Sequence, residues 1–328
     1  MKNLLFLALI FVVLSCNTRQ EELKTIEGNA IGTTFSIRYL DTSNKKFDAK
    51  IDSLIKAINK SVSTYISTSD ISKINSGDTT VVIDELFKEI FLKSERIYAE
   101  TEGVFDPTIG TLVNAWGFGP EKAIENLDSL KIKELLKFVG FDKVRIKDGK
   151  IIKLYPQIYF DFNAIAKGFL VDVVSKLFEQ HEIKNYMVEI GGEIRARGVN
   201  QHNKYWRIAI ENPNFDGSRT FATTIQLRNE SMATSGNYRK FRTTEEGKKY
   251  VHTINTKTGF ATESNLLSAS VISKTDCADV DAYATAFMAM GLERSKVFLT
   301  KHKELKVLLI YGDENGNLEI FKSANFDN

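Results

Sequence analysis

Asp281 and Thr285 stand four residues apart in Asp279-Val280-Asp281-Ala282-Tyr283-Ala284-Thr285, so a helix there places both on one face. A carboxylate and a hydroxyl on one face make a hard-oxygen site suited to Mg2+, which prefers oxygen ligands and keeps several waters. The alternative is that Asp281 caps the helix and Thr285 packs. A second cluster is Tyr159-Phe160-Asp161-Phe162-Asn163-Ala164-Ile165-Ala166-Lys167-Gly168. Here an acid ends an apolar strand and Lys167 lies in the first turns of the following helix. Helix N-termini attract anions, so a phosphate could bind with Lys167 as its partner; otherwise Asp161 only caps the helix. A third is Gly103-Val104-Phe105-Asp106-Pro107-Thr108-Ile109-Gly110, followed by Trp116-Gly117-Phe118. Such a glycine-bounded loop suits stacking and hydrogen-bonding a flat ring, or is simply a loop. The fourth holds His252, which follows the apolar Tyr250-Val251 and precedes a turn. That position suits acid–base work, although a lone histidine is more often structural. His181, His202 and His302 lie among charged or amide residues and are expected at the surface.

Other chemistries are excluded. No Walker loop is present, and Gly117 and Gly119 do not continue into a GxGxxG fingerprint. No Cys/His cluster has zinc spacing, and His181-Glu182 lacks the second histidine of a zincin. The 328 residues carry 44 Lys plus Arg against 42 Asp plus Glu. Nucleic acid would need a concentrated basic stripe; the longest run, Lys301-His302-Lys303, reads as a solvated face.

The N-terminus reads as an export signal. Lys2 precedes the apolar run Leu4 to Leu14, which is too short for a spanning helix of about 20 residues but suits a signal peptide. The run closes on Val13-Leu14-Ser15-Cys16, which resembles a bacterial lipobox with Val13 where Leu is more usual. The expectation is a signal peptide over residues 1–15, a lipidated Cys16 with a tether over 16–26, and one catalytic domain over 27–325. The only other cysteine, Cys277, then has no disulfide partner and is expected to be buried.

The elements that must position these clusters follow from periodicity. Phe35, Ile37 and Tyr39 alternate as in a strand. Ile51, Leu54, Ile55, Ile58 and Val62 recur at helical spacing, as do Leu86, Phe87, Ile90, Phe91 and Ile97 after a capping Asp84. Asp148-Gly149 turns a hairpin between Val144–Ile146 and Ile151-Ile152. Ala164 to Phe178 and Val280 to Met290 read as helices. Met187 to Ile190 and Ile194 to Val199 read as strands joined at Gly191-Gly192. A last hairpin joins Val307–Tyr311 to Leu318–Phe321 around Asn315-Gly316. Strands and helices mix without regular βαβ alternation, which predicts an α+β fold rather than a doubly wound sheet.

In order along the chain, these blocks resemble the FAD:protein FMN transferase family, also called ApbE. The resemblance runs from about Ile31 to Thr285. It includes Gly32-Thr33, Ser63-Thr64-Tyr65, Ile71-Ser72-Lys73-Ile74-Asn75, Phe105-Asp106-Pro107-Thr108 and Trp116-Gly117-Phe118. It continues through Ala164-Ile165-Ala166-Lys167-Gly168, Ile190-Gly191-Gly192-Glu193, Ala233-Thr234-Ser235-Gly236, His252 with Thr258-Gly259, and Asp281 with Thr285.

The resemblance implies a single mixed α/β domain of the ApbE, T-fold-like type. It implies that Ile31, Tyr65, Val104, Phe105, Asp106, Asp161, Lys167 and Ile254 line an FAD site. Mg2+ would be held by the Asp281 carboxylate, the Thr285 hydroxyl and the main-chain oxygen of Ala164, with His252 near the pyrophosphate. A target Ser or Thr would attack the FMN-side phosphorus and AMP would leave. An FAD pyrophosphatase and a non-catalytic flavin-binding lipoprotein are the alternatives. The implied partners are flavin-carrying subunits of membrane electron-transfer complexes or periplasmic flavoproteins. The implied location is a lipid-anchored protein facing the periplasm, with the inner membrane as the expectation. Three positions depart from the family pattern. Ile31 replaces a frequent Met, Asn163 stands where Gly or Ser is common, and Asn255-Thr256 replaces Asp-Pro, which loses a charge beside His252.

Overall fold

The chain pairs its strands from both ends toward the middle. The computed structural model describes residues 21–327 apart from 44, 215–217, 237–240, 244–248, 252, 262–263 and 316. The elements are β1 (Glu22–Ala30), β2 (Thr33–Asp41), α1 (Asp48–Val62), α2 (Asp70–Asn75), α3 (Glu85–Glu100), α4 (Gly110–Ala115) and α5 (Ser129–Leu136). There follow β3 (Val144–Lys147), β4 (Lys150–Lys153), α6 (Ala166–Gln180), β5 (Tyr186–Ile190), β6 (Glu193–Arg197), β7 (Trp206–Glu211), β8 (Phe221–Leu227) and β9 (Ser231–Gly236). The last are β10 (Phe241–Thr243), β11 (Lys249–Val251), β12 (Leu266–Ser273), α7 (Cys277–Met290), α8 (Leu292–Lys301), β13 (Lys306–Gly312) and β14 (Leu318–Lys322).

Eight strands form one antiparallel sheet in the order β1-β2-β5-β6-β9-β12-β13-β14. Side chains alternate between its faces. Val188, Ala233, Ala269, Val271, Val307 and Leu309 turn to the helical face and join the main core. Met187, Ile194, Met232, Ile272, Leu308 and Ile310 turn the other way, where Trp206, Ile210 and Leu227 of the β7–β8 hairpin cover them. Burial on both faces explains why β13 reads as a nearly continuous apolar run rather than as alternation.

The helices form as their patterns require. In α1 the buried residues include Ile51, Ile55, Ile58 and Val62, and α3 starts where the Asp84 side chain accepts from the Phe87 amide at 2.8 Å. Almost every residue of α7 is buried, as expected for a helix wedged between a sheet and other helices. Asp148 and Gly149 both take positive φ (50° and 72°) in the β3–β4 turn.

Some boundaries differ. The helix expected from Ala164 begins at Ala166. β1 begins at Glu22, inside the segment expected to be tether. This edge strand is held by main-chain pairing with β2, Ile26 opposite Ile37, and needs no continuous apolar pattern. His302 is not a free surface residue but stacks on Phe298 with centroids 3.9 Å apart, and His181 packs edge-on against Phe47. Cys277 is fully buried. No helix among the described residues is long and apolar enough to cross a membrane.

Candidate active site at the crossing of α6 and α7

A glycine brings the polar residues together. A Cβ on Gly168 would lie 2.3 Å from the Cys277 oxygen, so glycine alone lets the start of α6 touch the start of α7. The contact places the Gly168 amide 3.0 Å from Asp281 Oδ2. In an uninterrupted helix that N–H would aim at the Ala164 carbonyl, four residues back. Asp281 takes it instead, which leaves the Ala164 oxygen without that donor, one turn from the carboxylate. Asp281 is thus not a helix cap: it lies inside α7, and Thr285 follows one turn later on the same face.

Lys167 reaches this carboxylate from α6. Its Nζ lies 2.7 Å from Glu193 Oε1 and 3.7 Å from Asp281 Oδ1. Glu193 is 2% exposed, and its Oε2 is buried without a hydrogen-bond partner among the described residues. Burial raises the Glu193 pKa; the Lys167 ammonium opposes the rise and Asp281 adds to it. Burial likewise raises Asp281, against the pull of Lys167. Burial works against the ammonium charge of Lys167, but Asp281 and Glu193 outweigh it and hold the lysine protonated.

Two turns close over the same point. Gly191, at φ 64°, packs so that a Cβ would meet Thr33 Cγ2 at 2.7 Å and Lys167 Cδ at 3.2 Å. The β5–β6 turn therefore lies between Lys167 and the β1–β2 turn. In the latter, Ile31 has φ 42° and Gly32 φ 79°. A β-branched residue at positive φ stores about 1–3 kcal/mol of strain, so Ile31 is held in place by its surroundings.

The donor set fits a divalent cation. Asp281, Thr285 and the Ala164 carbonyl offer only oxygen, which suits Mg2+, and the displaced Gly168 amide leaves the carbonyl available. No cluster of three or more His, Cys, Asp or Glu side chains that could hold a metal occurs among the described residues. A site built from one carboxylate, one hydroxyl and one carbonyl is of another kind.

The expected flavin-lining residues divide into two groups. Tyr65 is 64% exposed; burial of its hydroxyl and then the Asp161 charge raise its pKa, which places it beside Asp161 and Asn163. Asp161 accepts from the Asn163 amide at 2.7 Å and its own amide bonds the Pro107 carbonyl at 2.8 Å. It therefore ties two segments together and does not cap α6. Val104 and Phe105 are buried, and Phe105 joins the core. The Asp106 carboxylate turns inward onto the Thr108 amide and hydroxyl at 2.8 and 2.6 Å, and burial raises it to about 6. This segment can offer a flat ring its main chain, not the Phe105 and Asp106 side chains. Ile254 sits in a small core with Leu112, Ile132 and Val139 and supports the loop that carries it. That loop is pinned by Thr256 Oγ1 to the Gly103 carbonyl at 2.6 Å and by Trp116 Nε1 to the Gly259 carbonyl at 2.9 Å. His252 and Cys16 lie outside the described residues.

Three features were missed by sequence reasoning. Glu193 was visible only as the last letter of Gly191-Gly192-Glu193. Asn75 mimics a strand, exchanging hydrogen bonds with the Phe160 amide and carbonyl at 2.8 and 2.9 Å. Asp172 accepts from the Cys277 and Ala278 amides, each at 2.8 Å, and from Arg195 at 2.9 Å. It caps the N-terminus of α7 from α6. Its signal was there to see: one acid inside the apolar stretch Phe169-Leu170-Val171-Asp172-Val173-Val174. Arg195 also bonds Asp276 at 3.0 Å, Asp276 bonds Lys93, and Asp279 bonds Arg96.

The fold and site define an α+β protein with a buried, lysine-flanked pair of carboxylates where α6 meets α7. The model of the ApbE family matches residues 31–309, and this chain belongs to the ApbE family. It is 36% identical to the FAD:protein FMN transferase of Haemophilus influenzae, over 96% of this chain and 94% of that one. It is 33% identical to that of Vibrio cholerae, over 99% and 98%. Among solved structures, flavin transferase ApbE from Vibrio cholerae superposes with a TM-score of 0.83 at 33% identity, covering 93% of this chain and 98% of that one. The apo form of Pseudomonas stutzeri flavinyl transferase ApbE gives 0.84 at 25%, covering 94% and 96%. The α+β fold expected from the sequence is the fold observed.

Proposed function

We propose that this protein transfers FMN from FAD to a Ser or Thr hydroxyl of an acceptor protein, with Mg2+ as cofactor and AMP as the leaving group. The observation that carries the reading is the α6–α7 crossing. It puts a protonated lysine 3.7 Å from a buried carboxylate, in a chain alike over nearly its whole length to FMN transferases. The acceptor oxygen bonds to the FMN-side phosphorus, the anhydride bond breaks, and the bridging oxygen leaves on AMP. Such transfers need mainly positioning and charge stabilisation. Asp281, Thr285 and the Ala164 oxygen would hold the ion, which would supply charge neutralisation at the pyrophosphate. Lys167 adds a second cation beside Asp281. Tyr65, the 104–106 main chain and the loop of Ile254 bind and orient the flavin half. His252 accepts the hydroxyl proton, a contribution of about 10²–10⁴-fold.

The test incubates the mature protein with FAD, Mg2+ and a flavoprotein subunit of a membrane electron-transfer complex. A flavinylated band with one AMP released per FMN attached supports the reading. Free FMN plus AMP without a labelled acceptor makes the protein a pyrophosphatase, and intact FAD removes catalysis altogether. For His252→Ala the reading requires near-normal FAD affinity and melting with transfer slowed about 10²-fold; unchanged transfer removes His252 from the mechanism.

The same reading places the enzyme on the outer side of the cytoplasmic membrane, tethered through lipid on Cys16. Its support is the apolar run Leu4 to Leu14 ahead of Ser15-Cys16. Cys16→Ser should move the protein from the membrane pellet to the soluble fraction; retention in the pellet with the signal removed means another anchor.

A further inference from the structure

We propose that Glu193 is a positioning residue that withholds the Lys167 ammonium from Asp281 and so keeps the Asp281 carboxylate open to a divalent cation. The inference rests on the cation site proposed above and assigns a task to a residue outside it.

Three observations carry the argument. Lys167 Nζ is hydrogen-bonded to Glu193 Oε1 at 2.7 Å but stands off at 3.7 Å from Asp281 Oδ1. Glu193 therefore wins a competition between two carboxylates for one ammonium. Glu193 is also a costly residue to bury. It is 2% exposed and its Oε2 has no hydrogen-bond partner among the described residues. An unsatisfied buried acceptor ordinarily costs about 1–3 kcal/mol, so Glu193 is not there for stability. Finally, Lys167 is a flexible cation on a four-carbon stem whose stem is confined by Gly191, where a Cβ would meet Lys167 Cδ at 3.2 Å. Among the described residues the ammonium has two carboxylates in reach, and removing the nearer leaves Asp281.

Without Glu193, Lys167 closes on Asp281 and neutralises it. An incoming cation must then displace a direct ion pair. Glu193 thus sets how much negative charge Asp281 presents, without touching the cation.

The experiment reads cation binding rather than turnover. Mn2+ affinity is measured by electron paramagnetic resonance on full-length protein without FAD. The samples are wild type, Glu193→Met, Lys167→Met and the double variant. Methionine fills the buried volume of either side chain without an acceptor or a charge. Glu193→Met should weaken Mn2+ binding about tenfold, since the competing charge now sits against the ligand carboxylate. The double variant should regain wild-type affinity or better, because the competitor is gone. Equal weakening in the single and double Glu193 variants, or unchanged affinity in Glu193→Met, overturns the proposal. A wild-type protein that binds no Mn2+ instead overturns the cation site itself, so the two failures are distinct. Melting curves run alongside, and if Glu193→Met does not fold, Glu193→Ala with its own Lys167→Met double variant replaces it under the same criteria.

Discussion

Two ionic clusters lie along the same pair of helices, and they are finished differently. Around Asp172, the carboxylates of Asp172, Asp276 and Asp279 face Lys93, Arg96 and Arg195. Each of the three aspartates has a cationic partner, and Arg96 and Arg195 carry the network on to Glu100 and Glu179. Asp172 spends both oxygens, on Arg195 and on the first amides of α7. Around Lys167, two carboxylates share one ammonium, and Glu193 keeps an oxygen with no partner among the described residues. The first cluster is closed in that each aspartate is paired, as buried ion pairs must be to repay desolvation. The second, among the described residues, sets two carboxylates against one ammonium. The closed cluster holds α7 in place; the open one is where the proposed cation would bind.

The sharpest way to break this comparison is to remove a charge from each cluster. Asp281→Ala should lower FMN transfer by ~10³-fold or more, the scale of several kcal/mol of charge stabilisation, while the fold survives. Chelator-sensitive activity at the wild-type level in this variant would sink the assignment. Asp172→Ala should do the reverse. It leaves Arg195 and two helix amides without their partner, so urea unfolding should report a loss of about 3–5 kcal/mol. An unchanged midpoint would mean that the closed cluster does not hold α7.

Asp106 gives a smaller, pH-dependent effect. Burial holds its carboxyl at about 6 instead of 3.8. The folded state therefore keeps a proton that the unfolded state loses. Stability from this group is fully present below the unfolded value and is lost as pH rises through 6. Relative to wild type, Asp106→Asn should gain about 2–3 kcal/mol between pH 4 and pH 7, whatever its starting offset. A flat difference across that range contradicts the burial account. The smallest effect belongs to Tyr65, a largely exposed residue that contributes one hydroxyl beside Asp161. Tyr65→Phe should weaken FAD binding by less than ~10-fold, read by fluorescence titration, with melting unchanged; a complete loss of binding would give Tyr65 a larger role than an edge contact.

Much of this was legible in the sequence, for reasons that can be named. That Asp281 and Thr285 share a helix face was legible because i, i+4 spacing is a local rule and α7 obeys it. The α3 cap, the β3–β4 turn and the alternation in β2 were legible for the same local reason. Glu193 and Asp172 were not, because their partners are distant. Lys167 lies 26 residues from Glu193 along the chain, and Cys277 lies 105 from Asp172. The loop around Asp106 misled because residue type alone does not show whether a carboxylate faces a cleft or its own turn. The start of β1 was hidden because an edge strand held by main-chain pairing carries a weak apolar pattern. The ApbE resemblance proposed site positions that local rules left open, but it did not point to the closed cluster around Asp172.

Calorimetric titration of Mg2+ into FAD-saturated wild-type and Asp281→Ala protein tests the account most directly. The account predicts one Mg2+ site in the wild type and its loss in Asp281→Ala, with FAD still bound by both. An equally strong Mg2+ site in the variant, or none in the wild type, would contradict it.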